Sequence, residues 1–158
     1  MKTIIHIASC VFLLILLTIS CQNESIQQDC SGDNAQSLQT FYSDELTNVP
    51  CSLQNIESTE KEVNVVIANQ ADLEKYFTCA GQLSEIDFEK YIILAGRYRH
   101  HQCAIFDNQQ IVLCNSKVVY RVWLLEQDCL AVMSVFYATV IEKKYSDLSI
   151  EFDVQFKK

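Results

Sequence analysis

Glycine and proline are scarce in this sequence, which has three glycines and a single proline, Pro50. The nucleotide-binding patterns GxGxxG and GxxxxGK[ST] need closely spaced glycines, and neither pattern is present. The chain also lacks the GxSxG pattern of serine hydrolases and the CxxC, HxxxH and HExxH patterns of common zinc sites. No pair of acids stands out as an acid–base couple. The usual catalytic and cofactor-binding motifs therefore give no support to an enzyme.

Basic residues are also in deficit. The chain has 12 Lys and Arg residues against 20 Asp and Glu residues, which gives a net charge of −8. Nucleic acids and anionic lipid surfaces bind basic stripes, because binding neutralises their phosphates. The composition therefore argues against a nucleic-acid partner.

The amino terminus carries the clearest motif. Lys2 precedes an apolar run from Ile4 to Ile19, which is too short and too interrupted for a membrane span but is typical of a signal peptide over residues 1–20. The segment LTISC, which ends at Cys21, resembles the lipobox of bacterial lipoproteins. The polar QNES that follows is similar to anchor-proximal sequences of Bacteroidota-type lipoproteins. The resemblance implies that Cys21 is lipidated and that the membrane is a partner through this anchor, at the outer membrane or cell surface.

The number of cysteines supports this interpretation. Cys10 leaves with the signal peptide, so seven of the eight cysteines remain, and lipidation of Cys21 would leave an even set. Cleavage by an ordinary signal peptidase, with Cys21 free, stays open. An exported chain permits disulfides, and the candidates are Cys30, Cys51, Cys79, Cys103, Cys114 and Cys129. A tight turn at Asn108–Gln109 would place Cys103 opposite Cys114.

The mature chain divides into two parts. Residues 21–40 are polar and predict a flexible tether, since they carry too few apolar side chains to repay the entropy of ordering. A disulfide at Cys30 would pin the middle of this tether. Residues 41–158 predict one β-rich domain.

Within this domain, Val63–Ala68 is β-branched and predicts a strand. A helix is predicted over residues 70–80, with Asn69 as its N-cap and Gly81 at its end. The run from Tyr91 to Ala95 predicts a central strand, and Gly96 after it indicates a bulge or a close backbone approach.

The last strand alternates apolar and polar residues from Leu148 to Lys157. Successive strands joined by short polar turns favour antiparallel pairing. The predicted fold class is therefore α+β, mainly β, with a curved antiparallel sheet or a sandwich and one short helix.

Two segments, Ala68 to Phe77 and Ile86 to Gly96, carry a family resemblance. From about Val63 onward, the order of strand, helix and strand resembles the PrcB-like family of spirochaete protease-complex subunits. That family is thought of as non-catalytic, so the resemblance implies a binding role, as a subunit or inhibitor of an envelope protease.

A candidate site follows this strand. Arg97, Arg99 and His101 fall on one face by the period of two and could bind an anionic ligand such as a carboxylate, or simply pair with neighbouring acids. His101 and Cys103 share a face and could reach a metal or form a nucleophile, whereas a disulfide would occupy Cys103. Four aromatic residues could form a platform for a sugar or could pack in an ordinary core: Tyr98, Tyr120, Trp123 and Tyr137.

These observations predict a lipid-anchored envelope lipoprotein that acts as a non-catalytic binding or accessory module. Its expected ligand is a protein or a glycan, with no cofactor and no metal. Two alternatives stay open, a subunit or inhibitor of an envelope protease and an envelope enzyme with a site near Arg97–Cys103.

Overall fold

The computed structural model describes residues 30, 35–43, 46, 49–129 and 131–158. The predicted signal peptide and Cys21 lie outside this part of the chain. The elements it contains are the strands β1 (Gln36–Ser37), β2 (Glu62–Ile67), β3 (Tyr91–His100), β4 (Ala104–Cys114), β5 (Lys117–Glu126), β6 (Met133–Glu142) and β7 (Ser149–Lys157), with a helix α1 (Gln70–Tyr76) and short 3-10 helices at Ala80–Gln82 and Lys143–Tyr145. Within the described ranges, no helix is both long enough and apolar enough to cross a membrane.

The strands form two sheets that share one core. One sheet has four strands in the order β1-β4-β5-β7, and the other has three in the order β2-β3-β6. Apolar side chains from both sheets pack together between them, including Leu94 of β3, Val122 of β5 and Ile141 of β6. The mainly β prediction with one helix is therefore confirmed.

The pairing of the last strand corrects the prediction of an antiparallel sheet. β7 lies parallel to β5, with Lys117 opposite Ser149. The intervening strand β6 belongs to the three-stranded sheet, where it pairs antiparallel with β3. The chain thus leaves the four-stranded sheet after β5 and returns to it in the same direction. The alternation predicted for β7 is confirmed, since Ile150, Phe152, Val154 and Phe156 pack against the shared core.

β3 is the central strand of its sheet, as predicted, and both of its faces are covered. Ile92 and Leu94 pack between the sheets. Ile93 and Ala95 pack on the opposite face, in a second apolar cluster that includes Leu73 of α1. Burial on both faces explains why this strand is apolar without alternation.

The start of α1 matches its prediction. The Asn69 side chain accepts a hydrogen bond from the Asp72 backbone N–H at 2.9 Å, which satisfies one of the free donors at the helix start. Leu73 and Phe77, four residues apart, are buried on one face.

The end of α1 differs from the prediction. The helix stops at Tyr76, and Gly81 lies in the following 3-10 helix rather than at the helix cap. Side-chain amides from far along the chain replace the glycine cap. Gln54 Nε2 donates to the Glu74 carbonyl at 3.0 Å, and Asn55 Nδ2 donates to the Lys75 carbonyl at 2.6 Å.

The predicted turn at Asn108–Gln109 is wrong. β4 continues through this polar stretch, and its pairing with β5 shifts by one residue between Phe106 and Asn108, which makes Asp107 a bulge. The hairpin turn is Asn115–Ser116, whose φ angles of 49° and 62° fit a two-residue turn of type I′.

The six candidate cysteines form three disulfides, Cys30–Cys114, Cys51–Cys79 and Cys103–Cys129, with Cα–Cα distances of 5.7, 5.1 and 5.4 Å. The prediction that these cysteines form disulfides is confirmed, and the pairing of Cys103 with Cys114 is wrong.

The disulfide Cys30–Cys114 lies partly within the tether predicted over residues 21–40. Together with the pairing of β1 to β4, in which Gln36 lies opposite Leu113, it fastens part of this stretch to the four-stranded sheet.

Candidate functional site

A cavity of about 730 Å³ opens along the edge of the three-stranded sheet. Most of its lining comes from the first half of β6, the first half of β4, and residues 49–58, which we call the wall segment; Leu46 and, from β3, Arg97 complete it. The lining is mainly apolar and includes Ile105 and Phe106 of β4 and Phe136 of β6. A mainly apolar concave site with few polar groups is the usual form of a ligand site.

Contacts with α1 hold the wall segment in place. Cys51 is bonded to Cys79, just beyond the helix, and Leu53 forms an isolated bridge with Phe77. The amides of Gln54 and Asn55 that cap α1 belong to the same segment. The wall therefore has fixed anchors although it contains no regular strand or helix.

The edge of β6 along the cavity carries backbone groups that do not pair with β3. Near its end, the Val140 carbonyl accepts from the Phe41 N–H at 3.0 Å and so points away from β3. Backbone direction alternates along an antiparallel strand, so the N–H and C=O groups of Ser134, Phe136 and Ala138 also point away from β3. Among the described residues, none of these groups has a backbone partner on that side.

Arg97 of β3 is the one charged residue among the described residues that line the cavity. It lies directly opposite Phe136 in the pairing of β3 with β6 and is only 7% exposed. Its Nη2 donates to the backbone carbonyl of Glu57 in the wall segment at 2.9 Å, while its buried Nε has no hydrogen-bond partner within the described ranges. No described acid lies within ion-pair distance of this guanidinium group.

The Glu57 carboxylate is directed elsewhere. It accepts from the N–H and the hydroxyl of Thr59 at 3.2 and 2.9 Å. These hydrogen bonds lower the pKa of Glu57, and the charge of Arg97 is the smallest contributor to that shift.

Arg121 of β5 provides a comparison. Its Nε lies 3.4 Å from the Asp153 carboxylate, and its Nη2 donates to the Cys30 carbonyl at 2.9 Å. Arg121 therefore has an acidic partner, whereas Arg97 has none among the described residues.

The three residues predicted to share one face, Arg97, Arg99 and His101, are not exposed together. Arg97 is buried, while Arg99 is exposed and its backbone N–H donates to the Lys61 carbonyl at 2.7 Å. His101 lies beyond the end of β3 and is exposed. Of the three, only Arg97 lines the cavity. An anion-binding role for Arg99 and His101 stays a prediction.

The segment around Cys103 joins the two sheets. It connects β3 to β4, and the Cys103–Cys129 disulfide ties it to the connection between β5 and β6. The Gln127 N–H donates to the Cys103 carbonyl at 2.8 Å across the same contact. A disulfide-bonded sulfur supplies no thiolate, and the described residues contain no group of three or more His, Cys, Asp or Glu side chains suited to a metal.

His100 precedes this segment and is buried. Its ring stacks on Phe156 with centroids 4.5 Å apart. Its Nε2 lies 3.2 Å from Glu126 Oε1 and makes no hydrogen bond to a described residue. The packing therefore assigns His100 to the core.

The aromatic platform for sugar is wrong for three of its four residues, because Tyr98, Tyr120 and Tyr137 are buried. The Tyr137 ring crosses over Gly96, and its hydroxyl donates to Asn64 Oδ1 at 2.8 Å. A bulge or a close backbone approach is predicted at Gly96; the pairing of β3 with β6 continues there without a bulge, and the close approach is made by side chains. Burial raises the pKa of Tyr137.

Sequence reasoning missed the wall segment and the edge of β6. One available signal was the long run of residues 131–141 without a charged side chain, which is unusual for a strand at the edge of a sheet. Comparisons with protein-family models, curated proteins and solved structures found no match to this chain.

Proposed function

We propose that this chain is a lipid-anchored lipoprotein of the cell envelope that acts as a non-catalytic binding module, with the cavity along β6 as its ligand site. The observation that carries the proposal is Arg97, which is buried in this cavity without an acidic partner among the described residues. An anionic group on the ligand would supply that partner.

The energetics of buried charge favour this function. An arginine taken out of water loses several kcal/mol of hydration, and one backbone carbonyl offsets only part of that loss. Replacing buried charges by apolar residues is often neutral or stabilising. Arg97 thus contributes little to folding, whereas an incoming carboxylate would form charge-assisted hydrogen bonds with it.

Site-specific photo-crosslinking on intact cells tests the ligand site. The photoreactive residue replaces Ile105 at the cavity or Val66 on β2, which is outside it; the two are similarly exposed, at 49% and 42%. We expect a discrete adduct from position 105 only, and its loss when Arg97→Met is added. Adducts of equal yield from both positions, or adducts that survive Arg97→Met, would refute the site.

The lipid anchor has its own test. The LTISC segment and the cysteine count support lipidation of Cys21. Cys21→Ala should abolish fatty-acid labelling and move the protein from the membrane fraction to the soluble fraction. Unchanged labelling and membrane association would contradict the anchor.

A further inference from the structure

The edge of β6 along the cavity differs in its charge from the edges of β2 and β7. Residues 131–141 contain no charged side chain. By contrast, β2 begins at Glu62 and β7 carries Glu151, Asp153 and Lys157. Charged side chains protect free sheet edges from pairing with other chains. The edge of β6 lacks this protection where it faces the cavity, so it is suited to accept a strand.

We infer that the ligand is an extended peptide segment of a partner protein, which adds to β6 as a further strand and places a carboxylate against Arg97. This inference rests on the proposed function, because it assigns an occupant to the same cavity. Strand addition draws affinity from main-chain hydrogen bonds and specificity from pockets for alternate side chains.

The backbone of β6 fits this occupant. Ser134, Phe136 and Ala138 together offer three N–H and three C=O groups towards the cavity. Five residues of a strand span about 14 Å at ~3.4 Å per residue, so a peptide of five to seven residues would cover this edge.

The side chains of β6 divide the cavity into two faces. Ser134, Phe136 and Ala138 lie on the face of the wall segment and Arg97, because Arg97 pairs directly with Phe136. Val135 and Tyr137 lie on the opposite face, towards the core shared with β4. Successive side chains of an added strand would alternate between these faces in the same way.

The charge of Arg97, on the face of β6 towards the wall segment, determines which peptides the cavity would bind. A residue of the added strand opposite Phe136 would lie about 10 Å from Arg97, which is two strand spacings. An extended arginine and an acidic side chain together can cover this span. The remaining lining is mainly apolar, so the expected peptide carries one aspartate or glutamate among mainly apolar residues.

Selection from a displayed library of random seven-residue peptides tests the inference. The target is the full chain, exported so that its disulfides form, and the Arg97→Met variant is the counter-target. We expect enriched peptides to share an acidic residue among mainly apolar residues. Changing that acid to its amide should weaken binding roughly tenfold or more, because a charge-assisted hydrogen bond is lost.

Amide hydrogen exchange distinguishes strand addition from nonspecific binding of apolar peptides in the cavity. The bound peptide should protect the N–H groups of Ser134, Phe136 and Ala138. Those of Val135 and Tyr137 should change little, because they already face β3. N-methylation removes main-chain donors of the peptide but keeps its side chains. When every second residue is methylated, one of the two possible sets should abolish binding, because only that set donates to β6.

Four results would overturn the inference. The first is that no peptide is enriched on the full chain over Arg97→Met. The second is enrichment without protection of the β6 edge, and the third is protection of this edge by a second copy of the chain, seen as a concentration-dependent dimer without peptide. The fourth is that a fatty acid, added before irradiation, suppresses formation of the adduct at Ile105 while no enriched peptide does so. If position 105 still gives an adduct that depends on Arg97 in these cases, the proposed ligand site stands and only a peptide as its ligand is excluded.

Discussion

Gly96→Ala should destabilise the protein strongly for a change of one methyl group. A Cβ at this position would lie 2.3 Å from Tyr137 Cε2, 2.4 Å from Asn64 Oδ1 and 2.5 Å from Tyr137 Cζ. Carbon contacts are optimal near 3.5–4.0 Å, so the Tyr137 ring must move. The ring is buried and hydrogen-bonded to Asn64, so its movement disturbs both its packing and this hydrogen bond.

The expected cost combines three contributions. Overpacking costs about 1–3 kcal/mol, and loss of the hydrogen bond between Tyr137 and Asn64 costs about 1 kcal/mol. The lower conformational entropy of unfolded alanine returns about 0.5–1 kcal/mol. The net loss in the free energy of unfolding is therefore about 2 kcal/mol, or a decrease in Tm of roughly 6–10 °C.

Urea unfolding of the oxidised protein, followed by circular dichroism, measures this loss. Gly81→Ala is the matched control, because a Cβ there meets nothing within 4 Å and should change stability by less than about 0.5 kcal/mol. Gly96→Ala should also cost much less in a Tyr137→Val background, where the ring is absent. Equal costs at both glycines, or additive effects of Gly96→Ala and Tyr137→Val, would refute the steric argument.

Three further predictions concern the cavity and the core. Arg97→Met should leave the free energy of unfolding unchanged or raise it by up to about 2 kcal/mol in urea unfolding, because it removes a buried charge that has no acidic partner among the described residues; a loss above about 2 kcal/mol would give Arg97 a structural role instead. Burial raises the pKa of Tyr120 and of Tyr137 above the ordinary value of 10. Stability is therefore retained below pH 10 and should fall above it by up to about 2.7 kcal/mol per pH unit for the two groups. Tyrosinate absorbance at 295 nm should rise together with unfolding, and Tyr120→Phe should halve the slope; titration of both groups in the folded protein would contradict this. Replacing Cys51 and Cys79 by alanine opens a disulfide with a sequence separation of 28 and should cost roughly 3–4 kcal/mol in a thermal or urea transition; a loss below 1 kcal/mol would mean that the other contacts of the wall segment suffice to hold it.

The parts of the fold that the sequence predicted depend on local patterns. β7 alternates because one face meets the core and the other meets water, and α1 begins where Asn69 can cap it. The central position of β3 followed from its apolar run. Each of these signals lies within about ten residues, so inspection of the sequence can recover it.

The parts that the sequence did not predict depend on distant contacts. α1 ends early because Gln54 and Asn55 cap its last carbonyls from 20 residues away. The polar stretch at Asp107 contains turn residues, yet the strand continues as a bulge that faces the Lys157 ammonium group at 2.8 Å. Local propensity cannot distinguish a turn from a bulge when the deciding partner is 50 residues away.

The bulge at Asp107 also explains how one strand serves both the cavity and the core. Before it, Ala104 and Phe106 face the core; after it, Ile111 and Leu113 do so. One extra residue has therefore reversed the alternation along β4. Without that reversal the second half of β4 would turn its apolar residues away from the core.

The same reversal places Cys114 on the outer face, where it pairs with Cys30. It also turns Gln109 inward to the cavity, where its side chain accepts a hydrogen bond from the Tyr120 hydroxyl. The cavity, the disulfide that fastens residue 30 to the sheet and the shared core thus depend on one irregularity in pairing. A site built in this way is specified by the register between strands, which explains why its strongest sequence signal was an arginine in an apolar strand and not a motif.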